Sequence, residues 1–238
     1  MPQAEWPGER RRSPTTSTPT WALLAPLSAW LRDQARELHE QQGPYRLLDV
    51  GCGVKPYYPW FEPYVSEYVG VDLGGNPEAE LEGAVEALPV DDASFDVVIC
   101  TQVLEHCDDP AQAVRELRRV VKPGGRVLLS THGVQVYHPA PHDLWRWTHE
   151  GLERLFRTNG EWATVSVQPS AGTTATLALL LSIYVDHVTR RAHVSALGRL
   201  LISGLNRAAA AIDARAAVLR EPGPGTLHPN YHVTAVAR

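Results

Sequence analysis

"LLDVGCGVKPYYPW", residues 47–60, decides how the rest of this chain is read. A short apolar run carries Asp49 near its end, and Gly51 and Gly53 follow with one residue between them. Two glycines just past a strand mark a backbone that passes close to a neighbour or a ligand. A dinucleotide fingerprint, G-x-G-x-x-G, needs glycine at position 56 and an acid about 20 residues further on. Asp72 meets the second demand, and Pro56 fails the first. Without the third glycine a helix cannot close on a pyrophosphate, and Asp49 would repel one.

Outward from this loop, apolar runs and helical patterns alternate. "YRLLDVG" (45–51), "YVGVDL" (68–73), "FDVVICT" (95–101) and "RVLLST" (126–131) read as strands buried on both faces, with a weaker one near 81–85. "WATVSVQ" (162–168) and "YHVTAVA" (231–237) alternate as strands do. Leu24, Leu27, Leu31 and Leu38 fall near helical spacing in 21–42. In the next helix Asp109 is the N-cap, Pro110 the first position, Gln112 the partner in a capping box, and Val114, Leu117 and Val121 the stripe. Another helix spans about 149–158, ended by Asn159-Gly160. This order predicts an α/β fold: a doubly wound, Rossmann-like, mostly parallel seven-stranded sheet with helices on both faces and an antiparallel last strand. In such sheets ligands lie beyond the carboxyl ends of the strands, where Asp49, Asp72 and Gln102 fall.

A ligand with a ribose and no phosphate fits these residues. Asp72 can accept from two ribose hydroxyls, the glycine loop can lie against a neutral or cationic group, and Asp49 favours a sulfonium or an ammonium. S-adenosylmethionine has that pattern. Together "LLDVGCG", "YVGVDL", "EALPVDDASFDVVICTQVLEH" and "LRRVVKPGGRVLLST" resemble the class I S-adenosylmethionine-dependent methyltransferases, in order over about residues 45–131. The resemblance implies that Asp49, Gly51 and Gly53 line the methionine end of the cofactor, that Asp72 binds the ribose, and that Leu73 packs beside the adenine. It places Ala84, Val85 and Glu86 along the adenine edge. Many relatives carry an acid near the position of Ala84, so here Glu86 or backbone supplies that contact or it is absent. Gln102 falls beside the cofactor at the end of the fourth strand.

The acceptor side is expected in "THGVQVYHPAPHDLWRWTHEG" (131–151), past the fifth strand. Methyl transfer needs alignment, and a hydroxyl acceptor also needs a base, most often histidine. His142 and His138 are the candidates, with Asp143 as orienting acid, and His132, Trp145 and Arg146 as acceptor contacts. The competing reading pairs Arg146 with Asp143, lays Trp145 and Trp147 on the sheet edge, and makes Thr148 an N-cap. H-x5-H-x3-H matches no standard zinc spacing, so no metal is expected. Glu105-His106 is read as structural, and whether Tyr57, Tyr58 and Trp60 reach the ligand stays open.

The reaction implied is methylation of a small acceptor, foremost an oxygen of a sugar-like or natural-product molecule. Nitrogen or carbon methylation, or a non-catalytic cofactor-binding partner of another methyltransferase, are the alternatives. A net charge of −5 argues against broad phosphate neutralisation, so no nucleic-acid partner is expected. Cys52, Cys100 and Cys107 form no C-x-x-C pair and are read as reduced thiols of a cytoplasmic protein. Residues 1–20 lack an apolar signal core and read as a disordered tail before a single domain, 21–238, with Arg10, Arg11 and Arg12 given no role. Residues 171–229 read as a helical insertion. Leu177, Leu180, Leu181, Tyr184 and Val188 form one stripe, and Val194, Leu197, Leu201, Leu205 and Ile212 another. A lid with a homodimer contact is favoured over peripheral membrane contact or plain packing on the core.

Overall fold

In the computed structural model, which describes residues 6–139 and 142–238, seven strands form one sheet in the order β3-β2-β1-β4-β5-β7-β6. β1 (Tyr45–Val50), β2 (Val65–Asp72), β3 (Leu81–Glu82), β4 (Phe95–Thr101) and β5 (Val121–His132) run parallel. β7 (Asn230–Ala237) is antiparallel to both β5 and β6 (Trp162–Pro169). This is the sheet expected from the alternation of apolar runs. The order reverses direction between β1 and β4, which opens a crevice at their carboxyl ends.

One apolar cluster, with Leu48, Val50, Val98 and Leu129, packs under α4 (Pro110–Val120) and α5 (His149–Thr158). The other, with Tyr45, Leu47, Val97 and Leu128, packs under α2 (Trp21–Gln42) and the short α3 (Tyr58–Phe61). The period of two along β1 sends Leu48 and Val50 to the first face and Leu47 to the second. Asp49 therefore points to the α2–α3 side. The caps follow the sequence: Asp109 accepts from Gln112 N at 2.9 Å and Thr148 from Gly151 N at 3.1 Å. The Gln112 amide completes no box; it donates to Glu86 O at 3.3 Å.

Residues 6–20, expected as part of a disordered tail, instead form an arm with a helical turn, α1 (Glu9–Arg12). Trp6 stacks on Tyr58 at 4.4 Å and donates to Lys55 O at 2.8 Å. Arg12 is buried and donates to Pro56 O at 2.8 Å, to Pro7 O at 3.2 Å and to Glu9 Oε2 at 2.6 Å. Further along, Thr16 O accepts from Asn206 Nδ2 at 2.8 Å. A buried guanidinium with carbonyl partners holds the arm where composition alone suggested solvent.

The insertion is a hairpin of α6 (Thr173–Arg191) and α7 (Ser195–Arg215), followed by a 3₁₀ turn, Ala217–Leu219. Its helices face each other with small and polar residues: Thr176, Ala178, Ser182 and Thr189 on α6, and Gly198, Asn206, Ala209 and Asp213 on α7. A Cβ at Gly198 would run into Thr189. Asp213 accepts from Thr174 N and Ala175 N, at 3.1 and 3.0 Å, and so caps α6 from outside. Among the described residues no helix is long and apolar enough to cross a membrane.

Candidate functional site

A cleft of about 770 Å³ opens at the carboxyl ends of β1, β2, β4 and β5. One end is lined by Val50, Gly51, Asp72, Leu73 and residues 83–86. The other is lined by His106, His132, His138 and His142. Arg11, Thr20, Leu23 and Leu24 from the arm and α2, Tyr57, and Ile183 from α6 complete the wall.

The glycine loop is held in place by its strand. Gly51 N and Cys52 N both donate to Val71 O, at 2.8 and 3.1 Å. Gly51 has φ +67° and a Cβ there would collide with Val103, so this position demands glycine twice over. Gly53 has φ +52° with open space beside it. Asp72 Oδ2 accepts from Gly53 N at 2.9 Å and from Asn76 Nδ2 at 2.6 Å, and Oδ1 accepts from Leu73 N at 2.8 Å. These bonds fix the carboxylate at the cleft edge. Leu73, half exposed, presents an apolar surface next to it. Glu86 Oε1 accepts from Asp108 N at 2.9 Å, so that carboxylate anchors the loop after β4 while lining the cleft. Gln102 adopts φ +58° at the end of β4 and donates to Ser130 Oγ at 3.0 Å and Asn230 Oδ1 at 2.9 Å.

Asp49 does not join the cleft as expected. Its buried carboxyl accepts from Tyr68 Oη at 2.5 Å on the opposite face of β1. Burial raises its pKa to about 7, against the pull of the Tyr68 bond and of Lys55. Lys55, itself buried, pairs with Glu80, whose Oε2 accepts from Gly70 N at 2.5 Å. Asp49 thus belongs to a polar knot that anchors the loop from behind. Gly53 also lies outside the cleft lining and acts through its bond to Asp72.

On the acceptor side, the structure separates the candidates. His132, His138 and His142 line the cleft; Asp143, Trp145 and Arg146 do not. Asp143 forms a two-point pair with Arg146, at 2.5 and 2.8 Å, and accepts from His138 N at 2.8 Å. The guanidinium holds its carboxyl well below the usual range. It therefore fixes the His138 backbone and orients no imidazole. Trp145 stacks on Trp147 at 5.8 Å and donates to Cys107 O at 2.9 Å, covering the loop after β4. Asp143 and Arg146 thus pair with each other, as the plainer reading has it, while Trp145 binds the loop after β4 and not the sheet edge.

The His138 ring lies 5.7 Å from that of His106 and 6.2 Å from that of His132. Burial, with His106 beside it, lowers the His138 pKa. His132 is buried and held to about 3 by burial. Its Nε2 lies 3.3 Å from Glu105 Oε1, and Glu105, fully buried, is pushed up to about 7 by burial while accepting from Thr131 Oγ1 at 2.8 Å. His132 therefore stays neutral in the cleft wall, with Glu105 buried behind it. Among the described residues no cluster of three His, Cys, Asp or Glu is arranged to hold a metal ion.

Other residues near the cleft were assigned no role by the sequence or left open. Arg11, the one arginine lining the cleft among the described residues, comes from a run assigned no role. Glu105, read as structural, lies behind the cleft wall against His132 and Thr131. Tyr57 lines the cleft, whereas Tyr58 stacks on Trp6 and Trp60 donates to Ser28 Oγ at 3.0 Å.

The α/β fold thus carries one cleft with the fixed carboxylate of Asp72 at one end and histidines at the other. Residues 48–129 match the family described as "Methyltransferase domain". Over 119 residues the chain is 35% identical to YcgJ, an uncharacterized methyltransferase of Bacillus subtilis, covering 44% of this chain and 45% of that one. It is 36% identical over 104 residues to a ubiquinone biosynthesis O-methyltransferase of Pseudomonas aeruginosa, covering 36% and 44%. The chain thus spans less than half the length of these curated relatives. The crystal structure of YcgJ superposes with a TM-score of 0.51 at 20% identity, covering 88% of this chain and 99% of that one. That of the [4+2]-cyclase SpnF gives 0.55, also at 20% identity, covering 88% and 80%. Residues 48–129 thus carry the methyltransferase-domain match, and the fold is shared with these solved structures.

Proposed function

We propose that this protein moves a methyl group from S-adenosylmethionine to an oxygen of a small acceptor. The observation that carries the reading is one cleft with a fixed carboxylate and an exposed leucine at one end and histidines at the other. The residues fit the cofactor: Asp72 has acceptor capacity left for ribose hydroxyls, Leu73 and Val85 offer apolar contact to a flat base, and no phosphate-binding glycine is needed. Arg11 supplies the positive charge that a carboxylate on the methionine tail would want. When bound, the cofactor supplies an activated methyl group on a positive sulfur. The chain itself contributes orientation and a base.

His138 is the proposed base. Its lowered pKa keeps the ring neutral near pH 7, so it can take the proton that an acceptor hydroxyl has to lose. His132, held at about 3, is too weak a base and bounds the pocket with Glu105. His142, on the cleft rim, is a contact to the acceptor. The relatives that act in ubiquinone biosynthesis are O-methyltransferases, which agrees with an oxygen acceptor of sugar-like or natural-product type. The fold also hosts N-methyltransferases such as one from Haemonchus contortus (TM-score 0.51, 16% identity), so the acceptor atom rests on the histidines.

The test is S-adenosylhomocysteine formation with a panel of phenolic, sugar and amine acceptors. His138→Ala should lower kcat by about 100-fold or more with cofactor affinity unchanged, and flatten the acidic limb of the pH profile. An unchanged profile removes His138 as base. Cofactor binding without turnover on any acceptor would instead identify a binding partner of another methyltransferase.

A further inference from the structure

The hairpin of α6 and α7 is built inside out. Apart from Leu179 and Ile202, its buried side is made of small and polar residues, while most of its large apolar side chains are exposed. On α6 the outward stripe is Leu177, Leu181, Tyr184 and Val188, with Tyr184 65% exposed. On α7 it is Leu197, Leu200, Leu201 and Ile212, with Leu200 71% exposed. At about 100° per residue these positions lie opposite the buried faces of both helices, so they form one continuous surface. The stripes therefore do not dock the insertion on the core, as plain packing would require. A contiguous apolar face of this extent marks a site of contact.

Charge decides what the face contacts. Residues 173–215 carry five arginines and two aspartates in a chain whose net charge is −5. Asp213 is buried as the cap of α6, and Asp186 pairs with Arg190 at 2.8 Å. Arg191 stands exposed at the tip of the hairpin beside the α6 stripe, and Arg207 and Arg215 lie exposed along the α7 stripe. Apolar residues flanked by arginines are the pattern of a helix lying in the interface of an anionic bilayer, and small residues between helices are the packing found inside bilayers. A second copy of this chain would set cation against cation across a two-fold axis.

We propose that the outer face of the α6–α7 hairpin docks on an anionic lipid membrane without crossing it. Ile183, on the core-facing side of α6 with Ala175 and Leu179, lines the cleft, so the hairpin joins the docking face to the cleft wall. The proposal does not rest on methyl transfer and stands or falls separately from it.

The experiment is flotation of the full chain with vesicles of phosphatidylglycerol and phosphatidylcholine, or of phosphatidylcholine alone. The chain should float with the anionic vesicles and stay behind with the neutral ones. Leu181→Glu with Leu197→Glu should abolish flotation while leaving the circular dichroism and S-adenosylhomocysteine binding of the parent. Arg191→Gln and Arg207→Gln should each weaken it about fivefold. Equal flotation with both vesicles, or an unaltered double variant, overturns the proposal. So does light scattering that shows a dimer, broken by the double variant, in a chain that binds neither vesicle.

Discussion

Asp49 shows how one residue can be found by sequence and misplaced by it. The strand end and the acid are both legible in "LLDVG", but the period of two along β1 sends this carboxyl to the face away from the cleft. There it is buried against Tyr68 with a pKa of about 7. A carboxyl whose folded pKa lies above its unfolded value of about 3.9 holds its proton more tightly when folded. Its contribution to stability therefore falls as pH rises from about 4 to about 7 and is constant above that. Asp49→Asn keeps an acceptor for Tyr68 and removes this dependence. Relative to the parent it should gain stability between about pH 5 and about pH 8, by at most about 1.4 kcal/mol per pH unit. Urea unfolding of both proteins at the two pH values measures the difference. A gap that does not change with pH would place the ionised carboxylate in the folded state.

Among the elements, the arm of residues 6–20 departs furthest from expectation. Its composition is that of a solvated tail, and the partners that order it lie about as far off in sequence as Lys55, Pro56 and Asn206. No local pattern announces a tertiary partner of that kind, which is why the tail reading failed and why Arg11 went unnoticed. Arg12→Ala leaves the Pro56 and Pro7 carbonyls unpaired and frees the turn that carries Arg11 into the cleft. It should cost about 1–3 kcal/mol in stability and weaken S-adenosylhomocysteine binding by about tenfold, read by thermal unfolding and titration calorimetry. Unchanged affinity in a folded variant would show that the arm packs on the glycine loop without serving the cleft. The starts of α4 and α5, by contrast, were legible to the residue, because Asp109, Pro110 and Thr148 act within their own first turns, whereas Val121, read as part of the α4 stripe, opens β5.

At the scale of the whole molecule, the sheet was legible because strands buried on both faces leave uninterrupted apolar runs in a fixed order. The cleft followed from the sheet, since ligands lie where the strand order reverses. The orientation of the hairpin did not follow. A stripe such as Leu177, Leu181, Tyr184 and Val188 has the same spacing whether it faces core or solvent, and only the small residues opposite it record which. The histidine-rich loop was half legible: it places His138 and His142 on the cleft, while Arg146 draws Asp143 away from any imidazole. All of these features converge on a cleft whose cofactor end is set by Asp72. Titration calorimetry of the parent and of Asp72→Ala with S-adenosylhomocysteine tests that claim most directly. The account predicts binding by the parent and a loss of at least about tenfold in the variant, as two hydrogen bonds to a carboxylate are removed. Binding of NAD in place of S-adenosylhomocysteine, or equal affinity in parent and variant, would contradict it.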